Sequence, residues 1–366
     1  MRMTKKLKNC LGMLAVFSLV LFALTGCQKD VAIDSSKVAK QLANAKISEV
    51  HLEEEASVSE TMIVEGTKTL SGEGILNVSE KMSGNYVIVV KSGSTLTLDG
   101  VTINCQRIAS AIRVEEGAKL VVRTASINEG KKHNIYNAGT LEVLDGQFTY
   151  CGASNLLNKG VAEMSGGTLT SNGGNSKAVV YNKGEFVMSG GTITEGIACN
   201  LYVEKGATAE MTGGTITASG QDGITVAKGG EVTIQNEVAK ITNCGANGIR
   251  NYGVAVVEDG IFMSNNGSHI ENRVGGDLTV RGGQFMSAMV YGINNRGTML
   301  MEGGTITGNT YCGISNKGIC RVTGGEISYN NFRGISNKTG AKLYVSGDTV
   351  LKANTSSNIT NDLADM

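Results

Sequence analysis

The sequence contains no proline and no tryptophan, its formal net charge is zero, and histidine occurs only three times in 366 residues. Each scarcity excludes something. Without proline there is no polyproline linker or collagen-type segment, and a chain that commits nearly every backbone N–H to a ladder avoids the residue that lacks one. The missing basic surplus removes the usual footprint of a nucleic-acid binder, so no nucleic-acid partner is expected. His51, His133 and His269 are far apart and no C-x-x-C occurs, which leaves a zinc or redox centre without ligands. Neither a metal nor a cofactor is expected. Long apolar runs are lacking after residue 24, so nothing downstream reads as a membrane-crossing helix.

What abounds is glycine, 50 residues, beside a hydrophobic share of 41%. Disordered glycine-rich chains carry few aliphatics, so this mixture belongs to a folded chain with many tight turns. Three columns recurring about every 22 residues show its form. Glycine opens each unit, at Gly93, Gly117, Gly139, Gly160, Gly184, Gly206, Gly229, Gly253, Gly275, Gly297, Gly318 and Gly340. An apolar pair five apart follows, from Leu98/Ile103 and Val122/Ile127 through Met188/Ile193 and Val322/Ile327 to Val345/Val350. The third column is a lone aliphatic before the next glycine, including Ile112, Ile135, Leu156, Val179, Leu201, Ile224, Ile249, Ile335 and Ile359.

Three inward positions per repeat mean three short strands per turn. The fold class is therefore all-β, a single right-handed parallel β-helix solenoid of about 12 turns, ~55–60 Å long at the strand spacing of ~4.8 Å. A β-sandwich would not hold three columns in phase along nearly the whole chain. The unit around Ile234 breaks the spacing and is expected to carry a bulge. Glycines are expected where the chain turns sharply between sheets. Ahead of the coil, S35-S-K-V-A-K-Q-L-A-N-A45 predicts a capping helix with Ser35 as N-cap and Val38 and Leu42 on one face. Such a cap covers the apolar end of the first coil. The run H51-L-E-E-E55 reads as a solvated loop, because neighbours on a strand point to opposite faces. No capping helix is evident at the other end, so the polar T355-S-S-N358 stretch is expected to blunt the last rung, or that end to meet a partner.

The N-terminus carries Arg2, Lys5, Lys6 and Lys8, an apolar run from Leu11 to Leu24, and then L24-T-G-C27. This ending resembles the lipobox of bacterial lipoproteins. The resemblance implies a signal peptide at residues 1–26, diacylation of Cys27, a lipid-anchored linker at 27–34, an N-terminal cap with first turns at 35–80, and the β-helix at 81–366. It places the protein outside the cytoplasm, lipid-anchored to a bacterial membrane at the cell surface. The repeats resemble right-handed β-helix proteins of the pectate-lyase-like superfamily. In the G-G-T-I-T motifs around Gly191, Gly214 and Gly304 and in F262-M-S-N265 they are similar to polymorphic outer-membrane protein repeats, in short motifs only.

Several columns could carry chemistry. Asn137, Asn158, Asn182, Asn251, Asn295, Asn316 and Asn337 read as a ladder of amides bonding from turn to turn. Beside it lie Lys159, Lys183, Lys205, Lys228, Arg296 and Lys317, interrupted by Tyr252 and Val274. Four successive lysines ~5 Å apart would form a positive track for an anionic polymer such as a uronate polysaccharide, a teichoic acid or a glycosaminoglycan. The plainer reading is a solvated edge whose lysines discourage sideways aggregation. Thr168/Thr170, Thr192/Thr194 and Thr215/Thr217 form a T-x-T patch resembling ice-binding β-helices, but Gln147, Ile261 and Glu326 interrupt the array. Asp99, Asp145 and Asp259 occupy similar corners in turns far apart, and Asp222 and Asp277 are isolated, so the clustered carboxylates of a lyase or glycosidase are not evident. The most reactive-looking loop is E129-G-K-K-H133. Cys105, Cys151, Cys199, Cys244, Cys312 and Cys320 read as buried thiols.

The expected function is a non-enzymatic, lipid-anchored surface protein for adhesion or for binding carbohydrate or another anionic polymer. The membrane, through the lipid, and a polysaccharide or surface protein are the partners. The alternative is a polysaccharide lyase or glycoside hydrolase.

Overall fold

Inward and outward side chains alternate along strands that are mostly three to five residues long. Most strands bury one or two aliphatics and then turn, so no single strand makes a core. Stacking makes it. The computed structural model describes residues 33–171 and 178–362. Residues 1–26 and Cys27, with the signal and lipidation reading that rests on them, lie outside the described residues. From Glu49 onward the strands of consecutive turns pair in parallel, in one sheet of 14 strands and one of 27. The first receives one strand per turn and the second two, giving a β-helix of about 13 turns.

Register confirms the inward columns. Leu98, Val122, Val143, Met164, Met188 and Met211 are successive partners, as are Ile103, Ile127, Phe148, Leu169, Ile193 and Ile216. All of them are buried. Each contributes about 1.5–3 kcal/mol of apolar burial, repeated every turn.

Four details differ from expectation. In the lone-aliphatic column the partner of Leu156 and Leu201 is Val180, with Val179 buried one place earlier. Around Ile234 there is no ladder bulge. Ile234 pairs with Met211, and the next inward residue is Ile241, so two extra residues loop out at the corner while both flanking strands keep register. The ladder irregularity lies instead between Val122 and Ser126, where ten-residue strands Thr95–Asn104 and Lys119–Asn128 run through the corner. In the last turn Leu351 rather than Val350 pairs with Ile327, and Val345 and Ile359 are each 37% exposed because no described turn stacks on them. The T355-S-S-N358 stretch is not wholly a loop, since Ser357 and Asn358 lie in the final strand Ser357–Asn361.

Helix α1 (Ser36–Ala43) buries Val38 and Leu42 against the first turns, as a cap should. Ser35 precedes it in αR geometry and makes no side-chain capping bond. The clasp comes from elsewhere. Lys68 occupies an inward position in register with Leu96, is 1% exposed, and donates from Nζ to the carbonyls of Asn44 (2.9 Å) and Ile47 (2.5 Å). Asn44 is the C-cap of α1, where unsatisfied acceptors concentrate, and Ile47 lies on the link from α1 to the strand Glu49–His51.

Corners use glycine in two of three places. Between the two strands of the larger sheet, Gly191 and Gly214 have φ of +77° and +78°. The corner leading to the smaller sheet instead turns on one left-handed residue of almost any type: Tyr150, Ser171, Glu195, Ala218, Asn243, Ser264, Ser287 and Tyr329, with φ from +39° to +62°. Parallel strands stacked above and below hold these residues in a conformation that costs an L-residue about 1–2 kcal/mol.

Candidate functional site

The third corner, where the smaller sheet hands over to the larger, decides what the surface presents. It comes in two lengths. Asn182 and Glu185 are joined by two residues, Lys183 and Gly184, whereas their partners Val203 and Thr208 are joined by four. In the short form a Cβ on Gly184 would lie 2.1 Å from the Gly160 carbonyl oxygen, so glycine is required by close stacking. In the long form Gly206 has φ +79° and open space around it, so glycine is required by the backbone.

Inside this corner runs the amide ladder. Nδ2 of Asn137 donates to Asn158 Oδ1 at 2.8 Å, and Asn158 donates to Asn182 at 2.9 Å. From Asn251 the ladder continues through Asn272, Asn295, Asn316 and Asn337 to Asn361 at 2.7–3.0 Å. Val203 and Val226 interrupt it. Asn272 and Asn361 are ladder members that the sequence reading did not single out. Two further ladders, Asn77–Asn104–Asn128 and Asn309–Asn330–Asn354, lie outside the glycine column altogether.

The cation column is rearranged by the same two loop lengths. Backbone N–H groups of Lys183 and Glu204 donate to Asn158 and Asn182, which makes Glu204, not Lys205, the neighbour of Lys183. Ala227 then precedes Lys228 in the same way. The continuous four-lysine stripe therefore does not exist. Lys159 and Lys183 are one pair, with Lys183 bridged to Glu204 at 2.7 Å. Lys205 and Lys228 stand at the tips of two long turns and, with Tyr252, Val254 and Asp277, line a shallow hollow of about 520 Å³. Four cations do lie in consecutive turns farther on: Arg273, Arg296, Lys317 and Lys338. Arg273 and Lys338 are matched by Glu271 and Asp362, whereas Arg296 and Lys317 have no carboxylate within ion-pair distance among the described residues.

The outward positions of the smaller sheet were not singled out by spacing, yet they align. Arg113, Tyr136, Leu157, Tyr181 and Tyr202 are successive partners. The Arg113 guanidinium lies 5.9 Å from the Tyr86 ring and 5.4 Å from the Tyr136 ring. Lys159 lies over Tyr136 at 5.4 Å, Lys183 over Tyr181 at 4.9 Å, and Tyr181 meets Tyr202 edge-on at 5.2 Å. Cations and aromatic rings thus interleave along one face.

The same column then turns polar through Thr225, Arg250 and Glu271, and Asp222 joins it from three residues earlier on the Thr225 strand. Asp222, 4% exposed, accepts from Asn247 Nδ2 at 2.9 Å and meets Arg250 Nε at 2.9 Å. Arg250 also reaches Glu271, which is bonded to Arg273 at 2.7 Å. Burial, outweighing Arg250 and Asn247, raises the Asp222 carboxyl above its ordinary pKa. Asp222 is therefore not isolated. Its burial and committed oxygens suit a structural ion network better than contact with a substrate. Asp145 and Asp259 each accept from the following glycine N–H at 2.7 Å and so serve their corners. Thr168, Thr192 and Thr215 are in register, as are Thr170, Thr194 and Thr217. His51 bonds Ser71 Oγ at 2.8 Å, and no metal-competent cluster occurs among the described residues. The six described cysteines are buried and form no disulfide. No described helix is long and apolar enough to cross a membrane.

Compared with protein-family models, with curated proteins and with solved structures, the chain gives no match.

Proposed function

We propose that the protein is a lipid-anchored, non-enzymatic surface β-helix that binds an acidic polysaccharide along the outer face of its 14-stranded sheet. The observation that carries this reading is the interleaved run of Tyr86, Arg113, Tyr136, Lys159, Tyr181, Lys183 and Tyr202. Tyrosine rings present flat apolar area with a polar edge, suited to the faces of sugar rings. Cations beside them recognise carboxylate, sulfate or phosphate groups by charge-assisted hydrogen bonds. Because the run extends over successive turns, it offers a polymer several contacts at once, and linked contacts add avidity. Arg296 and Lys317 extend the positive potential along the neighbouring edge.

The anchor would be Cys27. Acyl chains contribute about 0.8 kcal/mol per buried CH₂, and two chains hold a protein on a membrane where one does not. Replacing Cys27 with Ser is expected to release the protein from the membrane fraction; retention there would refute the anchor.

Incubating the mature chain with acidic and neutral polysaccharides, followed by size exclusion with light scattering, tests binding and chemistry together. Co-elution with acidic chains of unchanged mass is expected. Shortened polymer would establish the lyase or hydrolase alternative, and no co-elution would refute polymer binding.

A further inference from the structure

At the N-terminal end of this face a hollow of about 430 Å³ is lined by Asn85, Tyr86, Ser110, Arg113, Lys131 and Lys132. Its size is that of a small-molecule site. We propose that it is a pocket for a tetrahedral oxyanion ester, a sulfate or phosphate group carried on a sugar residue. The proposal rests on the polysaccharide reading above and names the group that this part of the face selects.

The hollow is built rather than incidental. Glu129 is the left-handed residue of this corner, with φ of +57°, and the segment carrying both lysines follows it. Lys131 N–H donates to the Ala109 carbonyl at 2.9 Å, and the N–H groups of Lys132 and His133 both lie 3.3 Å from Ser110 Oγ. From the next turn, Ala153 N–H holds the Lys132 carbonyl at 2.7 Å. The backbone carrying both lysines is thereby fixed at the rim of the hollow, and Arg113 lies beside the edge-to-face ring pair of Tyr86 and Tyr136.

Charge selects the ligand. Three cations line the hollow and no carboxylate does. Glu115, two residues from Arg113, is paired with Lys91 at 3.1 Å. A uronate would supply one charge and two oxygens. A sulfate or phosphate ester supplies three acceptor oxygens, and the phosphate ester about −1.5 to −2 charges, which three cationic donors match better. Burial raises the Tyr86 phenol pKa, so its hydroxyl stays neutral and able to donate. Its ring offers a surface to the sugar that carries the group.

Calorimetric titration of the full chain tests this, using a chondroitin sulfate hexasaccharide and its desulfated form, which keeps the uronates. The sulfated hexamer is expected to bind about tenfold tighter or more, the equivalent of one charge-assisted contact. Arg113→Gln combined with Lys131→Gln and Lys132→Gln is expected to erase that preference. Lys131→Arg with Lys132→Arg should keep it, as should Arg296→Gln with Lys317→Gln several turns away. Competition by glucose 6-phosphate and by glucose 6-sulfate identifies which ester is preferred. Equal binding of the two hexamers, or a preference that survives the triple substitution in a protein of unchanged circular dichroism, would overturn the pocket and leave the wider reading standing. Failure of the unaltered protein to bind either hexamer would overturn both.

Discussion

His269 is the most consequential titratable group inside the coil. Its side chain is fully buried, flanked by the rings of Phe262 and Phe285 at 6.4 and 6.3 Å, with Nδ1 3.0 Å from Asn265 Nδ2. Room for it exists because Gly248 and Gly292 hold the equivalent places in the turns on either side. Burial pushes its pKa down from 6.5 to about 3. A depressed folded-state pKa makes the unfolded chain bind the proton first, so stability is full above 6.5 and falls as pH drops toward the folded value. Linkage gives a loss of about 2 kcal/mol at pH 5 and about 3 kcal/mol at pH 4 from this residue alone. Asn occupies the same position in other turns, at Asn134, Asn155 and Asn200, so His269→Asn is the natural comparison. Urea unfolding by circular dichroism at about pH 7.5 and pH 5 should show the unaltered protein losing about 2 kcal/mol more than the variant. His133, whose pKa burial also lowers, shifts both proteins alike and cancels. Equal losses in the two proteins would refute the account.

Lys68→Met keeps the side-chain length but leaves the Ile47 carbonyl without its side-chain donor and the Asn44 carbonyl with the Ile47 N–H alone, at a cost of about 1–3 kcal/mol. Hydrogen exchange should accelerate first in α1 and the first turn, and unchanged protection there would argue against the clasp. Ala218→Gly should raise thermal stability, relieving a left-handed strain of about 1–2 kcal/mol at a corner where Gly308 serves another turn. A lower melting temperature would show that no strain is stored there. Burial raises the thiols of Cys105, Cys199 and Cys320 to about 12, so iodoacetamide near pH 8 should leave them unmodified until the protein is unfolded. Rapid native-state labelling, read by peptide mass spectrometry, would contradict their burial.

The coil was legible in the sequence because an inward side chain must match the residues stacked above and below it, turn after turn. Leu98, Val122 and Val143 stand in line for that reason, and so do Asn137 and Asn158, whose amides bond only when they share a register. The sequence by itself thus determined the parallel β-helix, its three columns, the burial of its cysteines and the presence of a capping helix. Outward residues obey no such rule. Lys205 and Lys228 fell out of the stripe because two extra residues in a turn displace a side chain sideways without disturbing the strands on either side. Lys68 looked like an ordinary strand lysine until the end of α1 was placed over it. Asp222, Arg250 and Glu271 meet across three turns, and Tyr86, Arg113 and Tyr136 likewise, through neighbours more than 20 residues apart in the chain. Those neighbours are set by the summed lengths of every intervening corner. Only the folded coil adds those lengths up, which is why the architecture could be read from periodicity and the binding face could not.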